Sequence, residues 1–247
     1  MKIITIGQSG RLQAAAKRLA EASADRVLRL VLLPVPTSRD KIHVTGTDTP
    51  LTELLSYAEC GTLFAGYSIP EPIAGELTLR GAVIYDAALD ESFLRENAEI
   101  TADGAVGWLL TSARSAPRDL SVGIVGYGRI GSALLSRLLF LGASVGVVSG
   151  SEKTRLSLCE NGIKCSSPEE TGAFRGFDIL INTAPAKLIS EEELSYIADR
   201  GTVTVDLASG KFLPEHPSVT KLSSVPDAMY PTTAGRIYAE HIARHLD

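Results

Sequence analysis

The sequence predicts an α/β fold of two α/β domains, the second a Rossmann doubly wound parallel sheet. Short apolar runs of strand length alternate with helix-compatible segments, a pattern typical of parallel sheets. A glycine-rich turn, Gly126–Gly131, follows one such run and opens an apolar-periodic segment. The 247 residues are enough for two compact domains.

A first domain, small and on the substrate side, is predicted over residues 1–100. Its predicted elements are a strand over Lys2–Gly7, a helix over Arg11–Ala22, a strand over Val27–Leu33, a helix over Leu51–Ala58, and strands over Thr62–Gly66 and Ala82–Tyr85. The stretch Ile69–Leu79 contains prolines and Gly75, which indicates a loop or edge structure.

A helix over residues 101–114 is predicted to connect the domains. Thr101 is a residue type that caps helices, and Asp103 would lie in the first turn. The Rossmann domain follows over residues 115–232. A C-terminal helix over residues 233–247 is expected to pack back on the N-terminal domain.

The Rossmann domain begins with a βαβ pattern. Its predicted elements are a strand over Ser121–Val125, a helix over Ile130–Leu141, strands over Ala143–Val148, Asp178–Asn182 and Thr202–Asp206, and a helix over Glu191–Ala198.

The glycine-rich turn has the sequence context of a dinucleotide site. Gly126 permits a tight turn, Gly128 lets a pyrophosphate approach the backbone, and Gly131 allows close helix–strand packing. The N–H groups at the helix start would face the phosphates. The predicted phosphate site comprises Gly126, Tyr127, Gly128, Arg129, Ile130 and Gly131. The alternative is a glycine turn that binds nothing.

The end of the next strand indicates the cofactor. NAD-binding domains usually carry an acid there, about 20 residues after the turn, whereas this chain has Ser149 and Gly150. Ser149, Ser151, Lys153 and Arg155 could hold a 2′-phosphate, so NADP is predicted. NAD stays possible through Glu152, and Lys153 and Arg155 could instead lie on a solvated helix face.

Two later strand ends are expected to border the bound cofactor, because strand carboxyl ends line the crevice in open α/β sheets. The alternative for the first is an ordinary strand-to-loop turn, in which Asn and Pro are common. The expected contact residues are Asn182, Thr183, Ala184, Pro185, Asp206 and Ala208.

Composition and charge argue against several classes of protein. The apolar fraction of 45% and charged fraction of 21% are typical of globular proteins. A net charge of −5 with no long basic run argues against nucleic-acid binding. No apolar run is long enough to span a bilayer, so a cytoplasmic protein without a membrane partner is expected. The three cysteines form no CxxC, which argues against a metal site and favours buried apolar roles.

Several segments together resemble the A-type subunit of dipicolinate synthase, an enzyme of spore-forming bacteria. The segments that carry the resemblance are Thr101–Ala105, the turn VGYGRIG, the strand ends INTAP and DLAS, and Pro231–Gly235. The resemblance implies an NAD(P)-dependent oxidation of a cyclic dihydro- or tetrahydro-dicarboxylate to pyridine-2,6-dicarboxylate. It also implies a role in sporulation, and the B-type subunit of dipicolinate synthase as a possible partner. We also expect a homo-oligomer.

Such a dicarboxylate substrate requires cations and hydroxyls near the nicotinamide, and the expected place is a cleft between the domains. Arg39 follows the second strand, Thr101 begins the connecting helix, and Arg236 lies beside Thr232 at the start of the last helix. Arg39, Thr101 and Arg236 are therefore the predicted substrate residues. The alternatives are surface charges for the arginines and simple helix caps for the threonines.

Two other functions fit parts of the sequence. A D-2-hydroxyacid dehydrogenase has a similar layout but works through a general acid–base histidine, and none of the four histidines lies in a suitable pattern. His216 is expected to be exposed in a polar loop. A catalytically idle NADP-binding sensor or supporting subunit is the second alternative.

Overall fold

The computed structural model describes residues 2–22 and 29–246. The chain divides into two compact units, Met1–Asn97 with Pro226–Asp247, and Ala98–Val225. Each unit contains one sheet of parallel strands, which confirms the predicted α/β class. Within the described residues, no helix is long and apolar enough to cross a membrane.

The first unit is built on a four-stranded sheet. Its strands are β1 (Lys2–Thr5), β2 (Arg29–Leu32), β3 (Leu63–Gly66) and β4 (Val83–Asp86), and its helices are α1 (Gly10–Ala22), a 3-10 helix (Leu51–Tyr57), α2 (Glu71–Leu79) and α8 (Pro231–Ala243). The strands lie in the order β1-β2-β3-β4. Residues 27–28 of the predicted second strand lie outside the described residues.

The loop or edge structure predicted over Ile69–Leu79 is wrong, because Glu71–Leu79 forms helix α2. Its prolines lie where a helix accepts them. Pro70 is the N-cap and Pro72 lies in the first turn, where the missing N–H has no intrahelical acceptor anyway.

The predicted start of the connecting helix at Thr101 is also wrong. Helix α3 runs unbroken over Glu91–Ser112, so Thr101 is a buried residue inside it and is not its N-cap. Asp90 caps the helix instead, since its Oδ1 accepts from the backbone N–H groups of Ser92 and Phe93 at 3.0 and 3.1 Å.

Helix α8 packs closely on α1 within the first unit. A Cβ atom on Gly235 would lie 2.5 Å from the Cβ of Ala14, so only glycine permits this approach. The buried Tyr238 hydroxyl donates to the Leu33 carbonyl oxygen at 3.3 Å. The fully buried His241 lies between two carboxylates, 2.7 Å from Asp90 Oδ2 and 3.0 Å from Glu96 Oε1. Helix α8 is thus joined to the rest of the first unit by polar contacts as well as by close packing.

The second unit is built on a six-stranded sheet. Its strands are β5 (Ser121–Val125), β6 (Ser144–Val148), β7 (Lys164–Ser166), β8 (Ile179–Asn182), β9 (Val203–Asp206) and β10 (Val219–Lys221), and its helices include α4 (Arg129–Phe140), α5 (Glu152–Glu160) and α6 (Glu191–Ala198), with α7 (Val225–Met229) following at the boundary. The strand order, β10-β9-β8-β5-β6-β7, is the doubly wound Rossmann order. It reverses between β5 and β8, which places the topological switch point there.

The cysteines are not the buried apolar residues that the sequence suggested. Cys60 and Cys159 are exposed and Cys165 is half-buried. Cys159 and Cys165 lie in contact, because α5 and β7 are adjacent in the second unit. Burial, and then the neighbouring Cys159, raises the pKa of the Cys165 thiol to about 11.

Candidate functional site

The glycine-rich turn lies between β5 and α4, at the switch point of the second unit. Gly126 has a φ of +91°, which favours glycine, and a Cβ on Gly131 would lie 2.3 Å from the Gly126 carbonyl oxygen. A Cβ on Gly128 would meet no atom within 4 Å. Gly128 is also the N-cap of α4, and this glycine has no side chain with which to cap the helix. The turn therefore presents open backbone and an uncapped helix start, a fit for a pyrophosphate.

The end of β8 contacts this turn. The Thr183 hydroxyl donates to the carbonyl oxygens of Val125 and Gly126 at 3.1 and 3.2 Å. The Ala184 backbone nitrogen would lie 3.0 Å from a Cβ on Gly126. Thr183 thus holds the phosphate turn against the neighbouring strand end.

A network of polar groups joins the ends of β8, β9 and β10, with Asn182 and Asp206 buried and Lys221 exposed. Asp206 Oδ1 accepts from Asn182 Nδ2 at 2.8 Å and from the Ala208 amide at 3.1 Å. Lys221 Nζ lies 2.5 Å from Asp206 Oδ2 and also donates to the carbonyl oxygens of Ala208 and Gly210. Because Asp206 is 3% exposed, this lysine neutralises an otherwise buried charge.

Lys221 was not anticipated from the sequence. The side chains of Asn182 and Asp206 are buried and bonded to each other, which shapes the strand ends, and their contact with a cofactor stays a prediction. Lys221 ends a strand of three residues, too short to give an alternation pattern.

The residues nominated for a 2′-phosphate form a compact loop after β6. Ser149 is buried and its Oγ accepts from the Ser151 amide at 3.3 Å. The Ser151 Oγ caps α5 by accepting from the Thr154 amide at 3.3 Å, and Arg155 Nη1 donates to the Ser149 carbonyl oxygen at 2.6 Å. Lys153 is exposed on the first turn of α5. Lys153 and Arg155 thus add positive charge near this loop, and the residue after β6, Ser149, has no carboxylate.

A groove of about 510 Å³ lies between α4 and α5 in the second unit. Tyr127, from the glycine turn, lines it together with Leu135, Leu139, Lys153 and Leu158. Tyr127 therefore faces the groove between the two helices, and its contact with a cofactor stays a prediction.

The predicted substrate residues have ordinary surroundings. Arg39 is exposed, and Thr101 is 7% exposed inside α3. The exposed Arg236 donates to Glu240 Oε2 at 2.7 Å, one turn along the same helix. Their joint contact with a substrate stays a prediction, and the ion pair at Arg236 argues against that residue.

One cation in the first unit was missed. Arg11, in the first turn of α1, is 2% exposed, and its Nη2 donates to Asn97 Oδ1 at 3.0 Å. The sequence pattern assigned it to an ordinary helix face. The signal present in the sequence was its position, because a cation at the positive end of a helix dipole is disfavoured.

The fold and the turn define a protein class, a two-unit α/β chain with a dinucleotide-binding Rossmann unit. Residues 121–210 match a family model described as "NADP oxidoreductase coenzyme F420-dependent". No significant match is found among curated protein sequences.

Solved structures give a closer likeness in fold. The chain aligns with the A-type subunit of dipicolinate synthase from Bacillus halodurans at 17% identity and a TM-score of 0.82, covering 99% of this chain and 97% of that one. The corresponding chain of dipicolinate synthase from Bacillus subtilis aligns at 18% identity and a TM-score of 0.81, covering 100% and 95%. The transhydrogenase from Sinorhizobium meliloti aligns at 15% identity and a TM-score of 0.71, covering 99% and 93%.

The resemblance to the A-type subunit of dipicolinate synthase is thus confirmed in the fold. Other aligned structures include an L-alanine dehydrogenase at 17% identity, with a TM-score of 0.59 and coverage of 100% and 89%. Together with the family model, these likenesses support an oxidoreductase with a nicotinamide cofactor.

Proposed function

We propose that this protein is an NADP-dependent oxidoreductase that oxidises a cyclic dihydro- or tetrahydro-dicarboxylate to pyridine-2,6-dicarboxylate. The open, uncapped start of α4 at the switch point carries the cofactor half of this proposal. The likeness to the A-type subunit of dipicolinate synthase over nearly the whole chain supports the substrate half.

The cofactor would be held by the second unit. Backbone N–H groups after Gly128 would face the pyrophosphate, and Thr183–Pro185 with Ala208 would border the nicotinamide ribose. When bound, the nicotinamide ring would supply the hydride acceptor for the oxidation.

The preference for NADP rests on the loop after β6. A carboxylate at the strand end would bond the ribose hydroxyls of NAD and repel a 2′-phosphate. Ser149 occupies this place, and the nearest acid along the chain, Glu152, is exposed on α5. Lys153 and Arg155 add positive charge to the same loop.

The chain's own contribution would be mainly orientation. Formation of an aromatic ring favours the oxidation, so the protein must hold two carboxylates and one carbon in place. Asp206 is bonded to Asn182 and Lys221 and is not free to act as a base. Its role in this proposal is to fix the strand ends that border the nicotinamide.

Turnover tests the proposal directly. The purified protein is mixed with freshly prepared cyclic dihydro- and tetrahydro-dicarboxylates and NADP or NAD, with and without a candidate second subunit. Formation of NADPH together with pyridine-2,6-dicarboxylate is expected. Binding of NADP without hydride transfer under any of these conditions would contradict the enzymatic function and favour a sensor or supporting subunit.

A further inference from the structure

We propose that the Arg11 guanidinium binds a carboxylate group of the substrate in the first unit. This inference rests on the function proposed above and names a residue for its substrate side. The predictions for Arg39 and for the cofactor residues stay unchanged. The evidence for Arg11 comes from contacts within the first unit alone.

Arg11 is a buried cation with unmet hydrogen bonds. Its Nε and Nη1 atoms are enclosed and have no hydrogen-bond partner among the described residues, and only Nη2 is bonded, to Asn97. Nearly all buried polar groups in proteins are satisfied, and an unsatisfied charged donor is especially unfavourable. Burial lowers the pKa of Arg11, which reflects the same unfavourable desolvation. An acceptor is therefore missing beside this side chain.

The nearest acid does not supply that acceptor. Asp227 Oδ1 accepts from the Arg11 backbone N–H at 3.2 Å, and in the described part of the chain it forms no ion pair with the guanidinium. The next amide, that of Leu12, is bonded to Ser9 Oγ at 3.3 Å. The backbone N–H groups at the start of α1 thus have acceptors, and the missing hydrogen bonds are those of the Arg11 side chain.

The position of Arg11 suits a ligand. It follows the carboxyl end of β1, and ligands of open α/β sheets bind outside the carboxyl ends of the strands. The start of α8 lies alongside, since a Cβ on Gly10 would be 2.8 Å from the Cβ of Pro231. Tyr67, just after β3, and Asp227 lie near the guanidinium and are half-buried.

The chemistry of the group selects the ligand class. A guanidinium presents several N–H donors in one plane, which match the two oxygens of a carboxylate. A carboxylate bound beside Arg11 would accept a hydrogen bond from Nε or Nη1 and would also neutralise the guanidinium charge. Arg11 would bind one carboxylate of a dicarboxylate, and the second carboxylate would bind to another group of the protein.

The stability of the protein without ligand distinguishes a purely structural role of Arg11 from a ligand-binding role. If Arg11 served only to join α1 to Asn97, its removal would destabilise the protein. If it is kept for a ligand, replacing it with an apolar residue removes a buried cation whose Nε and Nη1 have no hydrogen-bond partner among the described residues. The unliganded Arg11→Met variant should then melt at the same temperature as the wild type or higher.

The test is a thermal-shift titration without cofactor. The probe is pyridine-2,6-dicarboxylate in metal-free buffer, with the uncharged pyridine-2,6-dicarboxamide as the control compound. The matched control variant is Arg18→Met, because Arg18 lies on the same helix but is exposed, 3.8 Å from Glu240. Wild type and Arg18→Met should be stabilised by the dicarboxylate only. Arg11→Met should bind it roughly tenfold to hundredfold more weakly.

Several results would overturn the inference. They are equal dicarboxylate affinity in Arg11→Met and wild type, a dicarboxamide effect as large as that of the dicarboxylate, or no binding by wild type. If Arg11→Met does not fold, Arg11→Lys decides through the KM for the cyclic dihydro- or tetrahydro-dicarboxylate substrate. It should rise several-fold with little change in kcat, and an unchanged KM would contradict the role.

The same experiment separates this inference from the proposed function. Wild-type binding that depends on Arg11, without turnover, would retain the carboxylate site and refute the oxidation. Turnover with an unchanged KM in Arg11→Met would retain the oxidation and refute the role of Arg11.

Discussion

Asn182 and Asp206 lie opposite each other at the carboxyl ends of β8 and β9, and Asn182 Nδ2 donates a 2.8 Å hydrogen bond to Asp206 Oδ1. The second oxygen of Asp206 faces Lys221 Nζ at 2.5 Å. Three neighbouring strands are thereby tied together at the edge where the nicotinamide is expected. Asp206 therefore shapes this edge of the sheet, and Lys221, in the same unit, balances its negative charge.

Replacing Lys221 should therefore destabilise the second unit. Lys221→Met leaves the buried Asp206 carboxylate without its cation, and the free energy of unfolding should fall by about 1–3 kcal/mol. Urea denaturation measures the change. Lys211→Met is the matched control, because its pair with Glu215 is 93% exposed on both sides and should matter little. Equal stability of the two variants would contradict the structural role of Lys221.

Cofactor preference should depend on Ser149. Ser149→Asp places a carboxylate at the end of β6, where it would repel a 2′-phosphate, and the NADP preference should be lost or reversed, a change of roughly tenfold or more. Ser149→Asn is the neutral control of similar size. Calorimetric titration with NADP and NAD gives the two affinities for each protein. Tighter NAD binding by the unaltered protein would refute the predicted preference.

The pairing of Asp90 with His241 should stabilise the first unit over a wide pH range. Burial alone would raise the pKa of Asp90, but hydrogen bonds from the Phe93 amide, Ser92, His241 and Tyr85 lower it below its ordinary 3.8. A lowered carboxyl pKa contributes stability above pH 3.8 that is lost as the pH falls through the folded-state value.

Asp90→Asn should accordingly reduce the free energy of unfolding by about 1–3 kcal/mol at neutral pH. The difference from wild type should persist at about pH 4 and narrow only in stronger acid. Urea denaturation across this range measures it, with Asp48→Asn, at an exposed position, as the control. The nearby charged or titratable groups Glu96, Arg244 and His245 remain present in both proteins. A difference that vanishes between neutral pH and about pH 5 would show that another group controls it.

The Rossmann βαβ unit was predictable because its signals are local. A buried run, three glycines with separate steric tasks and a following apolar helix face all occur within Ser121–Phe140. Helix α2 was missed because its prolines were read as breakers, although both lie at the helix start. The prediction places the start of this helix at Thr101, whereas Asp90 caps α3 in the structure.

The side chains that matter most at the strand ends and in the first unit were less predictable. Lys221 gains its role from Asp206, 15 residues away, and this pairing exists only once β9 and β10 align. Arg11 differs from other helix arginines by its burial and its unmet hydrogen bonds, which depend on how α1, α3 and α8 pack. Such properties arise from tertiary contacts and leave little trace in local sequence patterns.

The most direct test of the account is a calorimetric titration of NADP into the wild type and Gly128→Val. A Cβ on Gly128 meets no protein atom within 4 Å, so valine should leave the melting temperature nearly unchanged while filling the place of the pyrophosphate. The account predicts NADP binding by wild type and at least a hundredfold weaker binding by Gly128→Val, about 2.7 kcal/mol. A normally folded Gly128→Val that binds NADP as tightly as wild type would contradict it.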